Sequence, residues 1–184
     1  IVKEMKVVIF DMYGVINFGS GVSPTVLQAL KTLREDGKIV IILSNASFGS
    51  ADAVSKYAKK GMSKGVYYDD VVTSGQFGYE AIQRGDVPVP GTTMYVFGTA
   101  NFKRPEDKLP DLFKDSVYSV TEDMEKADFA YCGVPQIHGE DRMDINDFIP
   151  ELEKIRKHNL EMVCANPDLR ANEGGKFVVR QGLI

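Results

Sequence analysis

The sequence lacks the features that are typical of nucleic-acid-binding and membrane-spanning proteins. Its formal net charge is −4, and its lysines and arginines form no cluster, whereas binding to a phosphate backbone needs clustered positive side chains. No apolar stretch approaches the roughly 18 residues of a membrane span, and no signal peptide opens the chain. We therefore expect a cytoplasmic protein whose partners include neither nucleic acid nor membrane.

Cysteine is scarce as well. Cys132 and Cys164 are the two cysteines, and each lies inside an apolar, strand-like stretch, DFAYC and MVCA respectively. Such surroundings favour buried, reduced thiols over a disulfide or a metal-binding pair. The length of 184 residues is sufficient for one large domain or two small ones, with a substantial core.

The stretch from Val7 to Ile16 combines a strand with an acidic turn. Four apolar residues, VVIF, stop at Asp11, and Gly14 follows three positions later, which predicts a buried strand that runs into a tight turn. The carboxylate of Asp11 is then at the C-terminal end of the strand, the edge at which open α/β sheets bind ligands. The alternative is that Asp11 only caps the turn.

A second strand is predicted to end at the same edge. Ser23 and Pro24 suit the start of a helix that Gly37 stops, and the apolar run from Ile39 to Leu43 leads directly into Ser44 and Asn45. Strand, helix and apolar strand in this order indicate a parallel βαβ unit. We expect Asp11 and Ser44 to share one sheet edge, although a polar pair after a strand can also be an ordinary helix cap.

The remaining sequence continues the alternation of helices and strands. The segment from Asp86 to Gly91 contains two prolines, which interrupt both helices and strands, and is the candidate linker between two domains, residues 1–89 and 90–184. The pattern predicts helices at 50–60, from 74 to about 85 and at 147–158, and strands at 70–73, 94–97, 117–120, 128–132, 162–165 and 176–180.

With these residues placed, the sequence resembles the haloacid dehalogenase (HAD) superfamily, and within it the class IIA branch of NagD-like sugar phosphatases and 4-nitrophenyl phosphatases. The matching stretches, in chain order, are VVIFDMYGVI, IILSNAS, VVTSG and CANPD. The resemblance implies an α/β fold with a Rossmann-like parallel core, of which residues 1–89 form the N-terminal half. It also implies an inserted α/β cap of the C2 type over residues 90–184.

The resemblance further implies a Mg²⁺-dependent hydrolysis of a small phosphorylated metabolite. In the family the first aspartate, here Asp11, is the nucleophile that forms an aspartyl-phosphate. Attack by a carboxylate on a phosphate brings two anions together, so a cation and several hydrogen-bond donors must offset the repulsion. The implied Mg²⁺ ligands are the Asp11 carboxylate and the Tyr13 main-chain carbonyl, and the implied phosphate-binding residues are Met12, Gly14, Ser44 and Asn45.

Tyr13 departs from the family pattern. Most phosphatases of the superfamily have a second aspartate at this position as the general acid, and a phenol, with an ordinary pKa of about 10, protonates a leaving group less readily than a carboxylic acid. Two alternatives follow: a degenerate family member that binds a ligand or partner without catalysis, and a haloacid dehalogenase. The dehalogenase is disfavoured because only a flap and one helix separate Asp11 from Ser44.

The family's later motifs are a second departure. In relatives a catalytic lysine and an acidic metal-binding pair follow the cap, and nothing after Arg180 matches them. We therefore expect this chain to hold the N-terminal half of the core and most of the cap, without the C-terminal half of the core. We expect weak Mg²⁺ binding, no activity of the chain alone, and either self-association through an uncovered apolar edge or marginal stability.

Three residues of the predicted cap are candidates for substrate contact. His138 lies in the polar stretch GVPQIHGED, and Asn166 and Asp168 form the Asn-Pro-Asp sequence that the family's cap also has. The alternatives are a solvated loop histidine and an ordinary turn after a strand.

Overall fold

The computed structural model describes residues 4–18, 21–102 and 104–184. By internal contacts the chain divides into two compact units, Ile1–Phe77 and Gly78–Ile184, hereafter the first and second units. The division lies within a helix. The domain boundary predicted near residue 90 lies further along the chain and stays a prediction.

The first unit is a parallel three-stranded sheet with helices in its connections. The strand order is β1-β2-β3, and both pairings are parallel, which confirms the predicted βαβ arrangement. Its elements are β1 (Val7–Asp11), α1 (Pro24–Glu35), β2 (Ile39–Ser44), α2 (Ser50–Ala58), β3 (Asp70–Thr73) and α3 (Ser74–Arg84), the last of which continues into the second unit.

Helix α1 begins and ends where the sequence predicts. The Ser23 side chain accepts a hydrogen bond from the Val26 N–H at 3.3 Å, and Pro24 occupies the first turn, where its missing N–H is not needed. Gly37 has a φ of +75°, the left-handed conformation in which glycine commonly follows a helix end. Leu30 then lies in the core.

The two faces of the first sheet differ in exposure. Val40, Ile42 and Val71 point into the core with residues of α1 and α2. The opposite face is exposed, although strands of parallel sheets are normally covered on both sides. Its residues, hereafter the open face, are Val7, Ile9, Ile39, Leu43 and Val72. The prediction of a buried first strand is therefore wrong for Val7 and Ile9, because an apolar run does not reveal which of its faces is covered.

The second unit is built on a parallel four-stranded sheet in the order β5-β4-β6-β9. Ala130 and Cys132 of β6 face one apolar cluster, with Phe148 and Ile155, while Phe129 and Tyr131 face another, with Phe113. The elements of this unit are β4 (Thr93–Phe97), β5 (Ser119–Val120), β6 (Phe129–Cys132), β7 (Gln136–Ile137), β8 (Glu140–Asp141), α4 (Ile149–Lys157), β9 (Met162–Cys164), β10 (Arg170–Glu173) and β11 (Lys176–Val179).

The second unit also contains features that the sequence did not predict. Two antiparallel hairpins, β7-β8 and β10-β11, supplement the parallel sheet. Both cysteines are free, as predicted, but only Cys132 is buried; Cys164 is exposed, since it ends β9, at one side of the sheet. Among the described residues no helix is both long enough and apolar enough to cross a membrane.

Candidate functional site

Asp11 and Ser44 end neighbouring strands at one edge of the first sheet. Asp11 is paired with Leu43 in the parallel ladder of β1 and β2, so Ser44 lies one residue beyond it, as the sequence predicted. Asp11 is exposed, whereas Ser44 is buried with 2% of its surface accessible. The Asp11 carboxylate is thus accessible at the end of β1, while packing fixes the Ser44 hydroxyl at the end of β2.

The turn after Asp11 is held by its own main chain. The Met12 carbonyl accepts hydrogen bonds from the N–H groups of Ile16 (3.1 Å) and Asn17 (2.8 Å), and the Met12 side chain is completely buried. Gly14 has a φ of +82°, a conformation that favours glycine, and its N–H donates to the Asn17 carbonyl at 2.9 Å. Gly14 therefore shapes the turn, and a phosphate would compete with Asn17 for its N–H.

A buried tyrosine lies beside Ser44. Tyr57 of α2 is fully buried, and burial raises the pKa of Tyr57 to about 12, an effect that the neighbouring Ser44 hydroxyl partly offsets. The two hydroxyls are close, but the Tyr57 hydroxyl has no hydrogen bond of normal geometry among the described residues. Tyr57 was not predicted as a site residue, although Ala53 and Tyr57 are one helical turn apart and share the buried face of α2.

The end of β3 holds the loop that carries Ser44 and Asn45. The Thr73 hydroxyl donates to the Phe48 carbonyl at 2.8 Å and accepts from the Gln76 N–H at 3.2 Å, and the Ser74 hydroxyl donates to the Ala46 carbonyl at 3.3 Å. Ser44 in turn accepts a hydrogen bond from the Ala46 N–H at 3.3 Å. The VVTSG stretch thus links β3 to the Ser44 loop, a role that its spacing alone does not reveal.

Tyr13 and Asn45 flank the Asp11–Ser44 pair. The Tyr13 side chain is 46% exposed, and the Nζ atom of Lys60 lies 5.4 Å from the centre of its ring. Asn45 follows Ser44 directly and is half-buried. The six site residues predicted in the first unit thus lie at the C-terminal ends of β1 and β2 or directly after them, and their joint role stays a prediction: Asp11, Met12, Tyr13, Gly14, Ser44 and Asn45.

The donors available for a metal at this site are oxygen atoms. The Asp11 carboxylate and the Tyr13 main-chain carbonyl belong to the class of hard ligands that Mg²⁺ prefers, and Mg²⁺ commonly retains waters and takes further oxygens from a phosphate. Within residues 4–18, 21–102 and 104–184 there is no group of three or more His, Cys, Asp or Glu side chains that could hold a metal. These oxygen donors, of which one is a carboxylate, therefore fit Mg²⁺.

The other three candidates belong to the second unit. His138 is exposed in the turn of the β7-β8 hairpin, with a φ of +54°. Asn166 and Asp168 form the turn after β9, in which the Asn166 side-chain oxygen accepts the Asp168 N–H at 2.8 Å. An ordinary turn of this kind was the predicted alternative to substrate contact by Asn166 and Asp168. The substrate contacts of these residues stay predictions.

The fold matches those of solved phosphatases and related hydrolases. A haloacid dehalogenase-like hydrolase from Brucella suis aligns over 99% of this chain and 61% of its own, with a TM-score of 0.79 and 22% identity. A 4-nitrophenylphosphatase from Thermotoga maritima aligns over 99% and 62%, with a TM-score of 0.64 and 22% identity. A glycerol phosphate phosphatase from Mycobacterium tuberculosis, solved with magnesium, aligns over 99% and 50%, with a TM-score of 0.64 and 18% identity.

The chain thus spans 50–62% of the length of these structures. No curated protein matches it. The family model of the haloacid dehalogenase-like hydrolases matches residues 8–109, more than half of the chain, and this range includes Asp11, Ser44 and the Thr73–Gly75 turn. The chain therefore belongs to the haloacid dehalogenase-like hydrolases.

Proposed function

We propose that the protein hydrolyses a small phosphate ester, with Asp11 as the nucleophile. The observation that carries this proposal is the position of an exposed carboxylate one residue before Ser44 in adjacent parallel strands. Carboxyl ends of parallel strands are where α/β proteins bind ligands. Phosphatase neighbours of the same fold support the reaction class.

The reaction follows from the residues at this edge. A carboxylate oxygen of Asp11 attacks the phosphorus, the bond from phosphorus to the ester oxygen breaks, and the alcohol leaves after taking up a proton. Water then attacks the aspartyl-phosphate, releases inorganic phosphate and restores the carboxylate. The Ser44 hydroxyl and the Asn45 side chain donate to phosphate oxygens, which stabilises the charge that develops there.

We propose Mg²⁺ as the cofactor, held by the Asp11 carboxylate and the Tyr13 main-chain carbonyl. The cation would offset the repulsion between the carboxylate and the phosphate. The magnesium-bound structure of the glycerol phosphate phosphatase supports a divalent metal, and the oxygen donors of the site favour a hard ion. With one carboxylate, we expect Mg²⁺ binding by these 184 residues to be weak and these residues alone to be inactive. Every turnover measurement proposed for this site therefore uses a protein that also carries the family's later lysine and acidic pair.

We also propose that the second unit acts as a cap that selects a small phosphorylated metabolite. The α/β content of this unit supports the role, since the resemblance places an α/β cap in this part of the chain. His138, Asn166 and Asp168 are the proposed substrate contacts.

The test uses Asp11→Asn and, as a matched control, Asp36→Asn, which changes an exposed aspartate after α1. With an aryl phosphate and excess Mg²⁺, we expect Asp11→Asn to abolish turnover and Asp36→Asn to retain it. Asp11→Asn should bind inorganic phosphate at least as well as the wild type in the absence of metal, because it removes an opposing negative charge. Wild-type turnover in Asp11→Asn would rule out the nucleophile.

Tyr13 favours a second candidate function, a family member that binds a phosphorylated ligand without hydrolysing it. The exposed phenol occupies the position that the resemblance gives to a general acid. Tyr13→Asp distinguishes the two functions: for a hydrolase it should raise turnover by supplying a better acid. If phosphate binds while neither the wild type nor Tyr13→Asp turns over, the binding protein is the correct reading. A dehalogenase is disfavoured, since α1 is the only helix between Asp11 and Ser44 in the described residues.

A further inference from the structure

Cys132 and Cys164 face each other across two strands of the second unit. They are the only cysteines in the sequence, and they are register partners in the parallel ladder of β6 and β9. Adjacent strands lie about 4.8 Å apart, and Cα atoms bridged by a disulfide are usually about 4.4–6.8 Å apart. Direct register partners have side chains on the same face of the sheet, so the backbone already satisfies the distance that a disulfide needs.

The two thiols differ in environment. Cys132 is completely buried among the apolar residues of the sheet and α4, whereas Cys164 is exposed. The neighbouring Cys132 thiol holds the pKa of Cys164 at about 6, below its ordinary value of 9.0. The same interaction and burial raise the pKa of Cys132. Cys164 is thus both the accessible sulfur and the one that loses its proton more readily, whereas the buried Cys132 keeps its proton.

We propose that Cys164 and Cys132 form a peroxide-reactive pair that closes to a reversible disulfide. The Cys164 thiolate attacks the hydroxyl oxygen of a hydroperoxide, the O–O bond breaks, and Cys164 becomes a sulfenic acid while the other oxygen leaves and takes up a proton from solvent to become water or an alcohol. The Cys132 sulfur then attacks the Cys164 sulfur, loses its proton and expels the hydroxyl group as a second water. The two thiols lose two electrons and the peroxide gains them.

Accessibility and position assign a different role to each sulfur. An exposed thiolate reacts first with oxidants, and a second cysteine next to it resolves the sulfenic acid before further oxidation. Peroxide therefore reaches Cys164 first, and Cys132 is the resolving residue. Both cysteines belong to the second unit, so the inference does not depend on the proposed phosphatase reaction.

Oxidation would also change the turn that follows β9. When Cys164 carries its proton, its thiol donates to the Asn166 main-chain oxygen at 3.1 Å, and the Asn166 side-chain oxygen accepts the Asp168 N–H. A disulfide removes the Cys164 donor and fixes its sulfur to β6. The pair is therefore connected to the Asn166–Asp168 turn through a hydrogen bond that a protonated Cys164 thiol can make and a disulfide cannot.

The test treats the full chain with one equivalent of hydrogen peroxide and measures intact mass and free thiols. We expect the wild type to lose the mass of two hydrogen atoms, to lose both free thiols and to recover them with dithiothreitol. Cys132→Ala should instead accumulate a sulfenic acid that dimedone traps at Cys164. Cys164→Ala should keep its buried thiol. As a second measurement, alkylation of Cys164 by iodoacetamide should already be near its maximal rate at pH 7.

Three outcomes would overturn the inference. The first is a wild type that retains both thiols under these conditions. The second is a wild type that gains oxygen at Cys164 without losing the thiol of Cys132. The third is a disulfide that joins two chains, which non-reducing electrophoresis would reveal. Circular dichroism of both alanine variants shows whether each has folded. The wild-type measurement tests the inference even if neither variant folds.

Discussion

Asp11 lies opposite Leu43 in the ladder of β1 and β2, so its carboxylate and the Ser44 hydroxyl end adjacent strands one residue apart. Asp11 is exposed for reaction, whereas Ser44 is fixed by packing and by its hydrogen bond from the Ala46 N–H. In the proposed site Asp11 therefore attacks the phosphate, and Ser44 orients it.

Removal of the Ser44 hydroxyl should weaken phosphate binding. A hydrogen bond to a charged group contributes about 1.5–3 kcal/mol, so Ser44→Ala should raise the KM for an aryl phosphate about tenfold or more. The control is Ser55→Ala, an exposed serine of α2, which should leave KM unchanged. Equal KM values for both variants and the wild type would exclude Ser44 from phosphate binding.

The buried hydroxyl of Tyr57 should make stability pH-dependent in alkali. The pKa of Tyr57 is about 12 in the folded protein, above its ordinary value of 10.0, so between these values the unfolded chain binds fewer protons. Stability must then fall as pH rises through this window. Tyr57→Phe removes this contribution, and the decline in unfolding free energy between pH 9 and pH 11, measured in urea, should be shallower.

At neutral pH the same variant should be as stable as the wild type or slightly more stable. A buried hydroxyl without a partner costs about 1–3 kcal/mol, and phenylalanine preserves the ring contact with Tyr68, whose centroid lies 6.3 Å away. If Tyr57→Phe were clearly less stable at neutral pH, the hydroxyl would have a hydrogen-bond partner after all.

Two adjacent aspartates should differ in their contributions to stability. Asp69 accepts two hydrogen bonds from Arg34 (2.7 and 3.2 Å) and one from the Val40 N–H (2.8 Å). Asp70 pairs with Lys64, and both side chains are about half exposed. Asp69→Asn should lower the unfolding free energy by about 1–3 kcal/mol, and Asp70→Asn by less than about 1 kcal/mol. Denaturant titration of both variants measures the difference.

The Asp69 contribution should also depend on pH. The hydrogen bonds from Arg34 hold the pKa of Asp69 below its ordinary value of 3.8, so its stabilising effect is present above that value and is lost as pH falls further. The wild type and Asp69→Asn should therefore converge in stability in acid. If the difference in unfolding free energy between the wild type and Asp69→Asn stayed constant down to the lowest measurable pH, the lowered pKa of Asp69 would be contradicted.

Gly75 and Gly78 of α3 form a matched pair for a packing test. A Cβ atom at Gly75 would lie 2.2 Å from the Ser47 carbonyl oxygen, whereas one at Gly78 would lie 3.7 Å from the Ala165 Cβ, an ordinary contact. Gly75→Ala should lower Tm through a loss of about 1–3 kcal/mol, and Gly78→Ala should raise it slightly through better helix propensity. An increase in Tm for Gly75→Ala would show that the loop after Ser44 can move away from the added methyl group without a loss of stability.

The open face of the first sheet should promote self-association. Ile9 is its most exposed member, at 59%, and contiguous exposed apolar patches commonly mark association surfaces. Ile9→Lys should shift sedimentation towards the monomer. The control is Val117→Lys, which changes a valine of the second unit that is 73% exposed. If both variants and the wild type sediment alike, this face does not mediate association.

The sequence predicted the elements that carry strong local signals. Ser23, Pro24 and Gly37 define α1 because capping is a local interaction, and the apolar run of β2 leads to Ser44 as expected. The shared edge of Asp11 and Ser44 followed from the rules of parallel βαβ units.

The features that were missed depend on distant contacts or on very short elements. The hairpin strands β7 and β8 have two residues each, too few for a periodic pattern. The approach of Tyr57 to Ser44 joins residues of different elements, and the exposure of Cys164 follows from the position of β9 at the side of its sheet. None of these is encoded in a window of neighbouring residues.

The strand order of the first sheet places β1 at its side, paired with β2 alone among the described residues. In such a strand only alternate amide N–H groups belong to a ladder, so the others exchange with solvent deuterium without any unfolding. The amides of β2, bonded on both sides, require the sheet to open. The amides of β1 should therefore take up deuterium before those of β2. If β1 exchanged as slowly as β2, another molecule would have to cover the outer edge of β1.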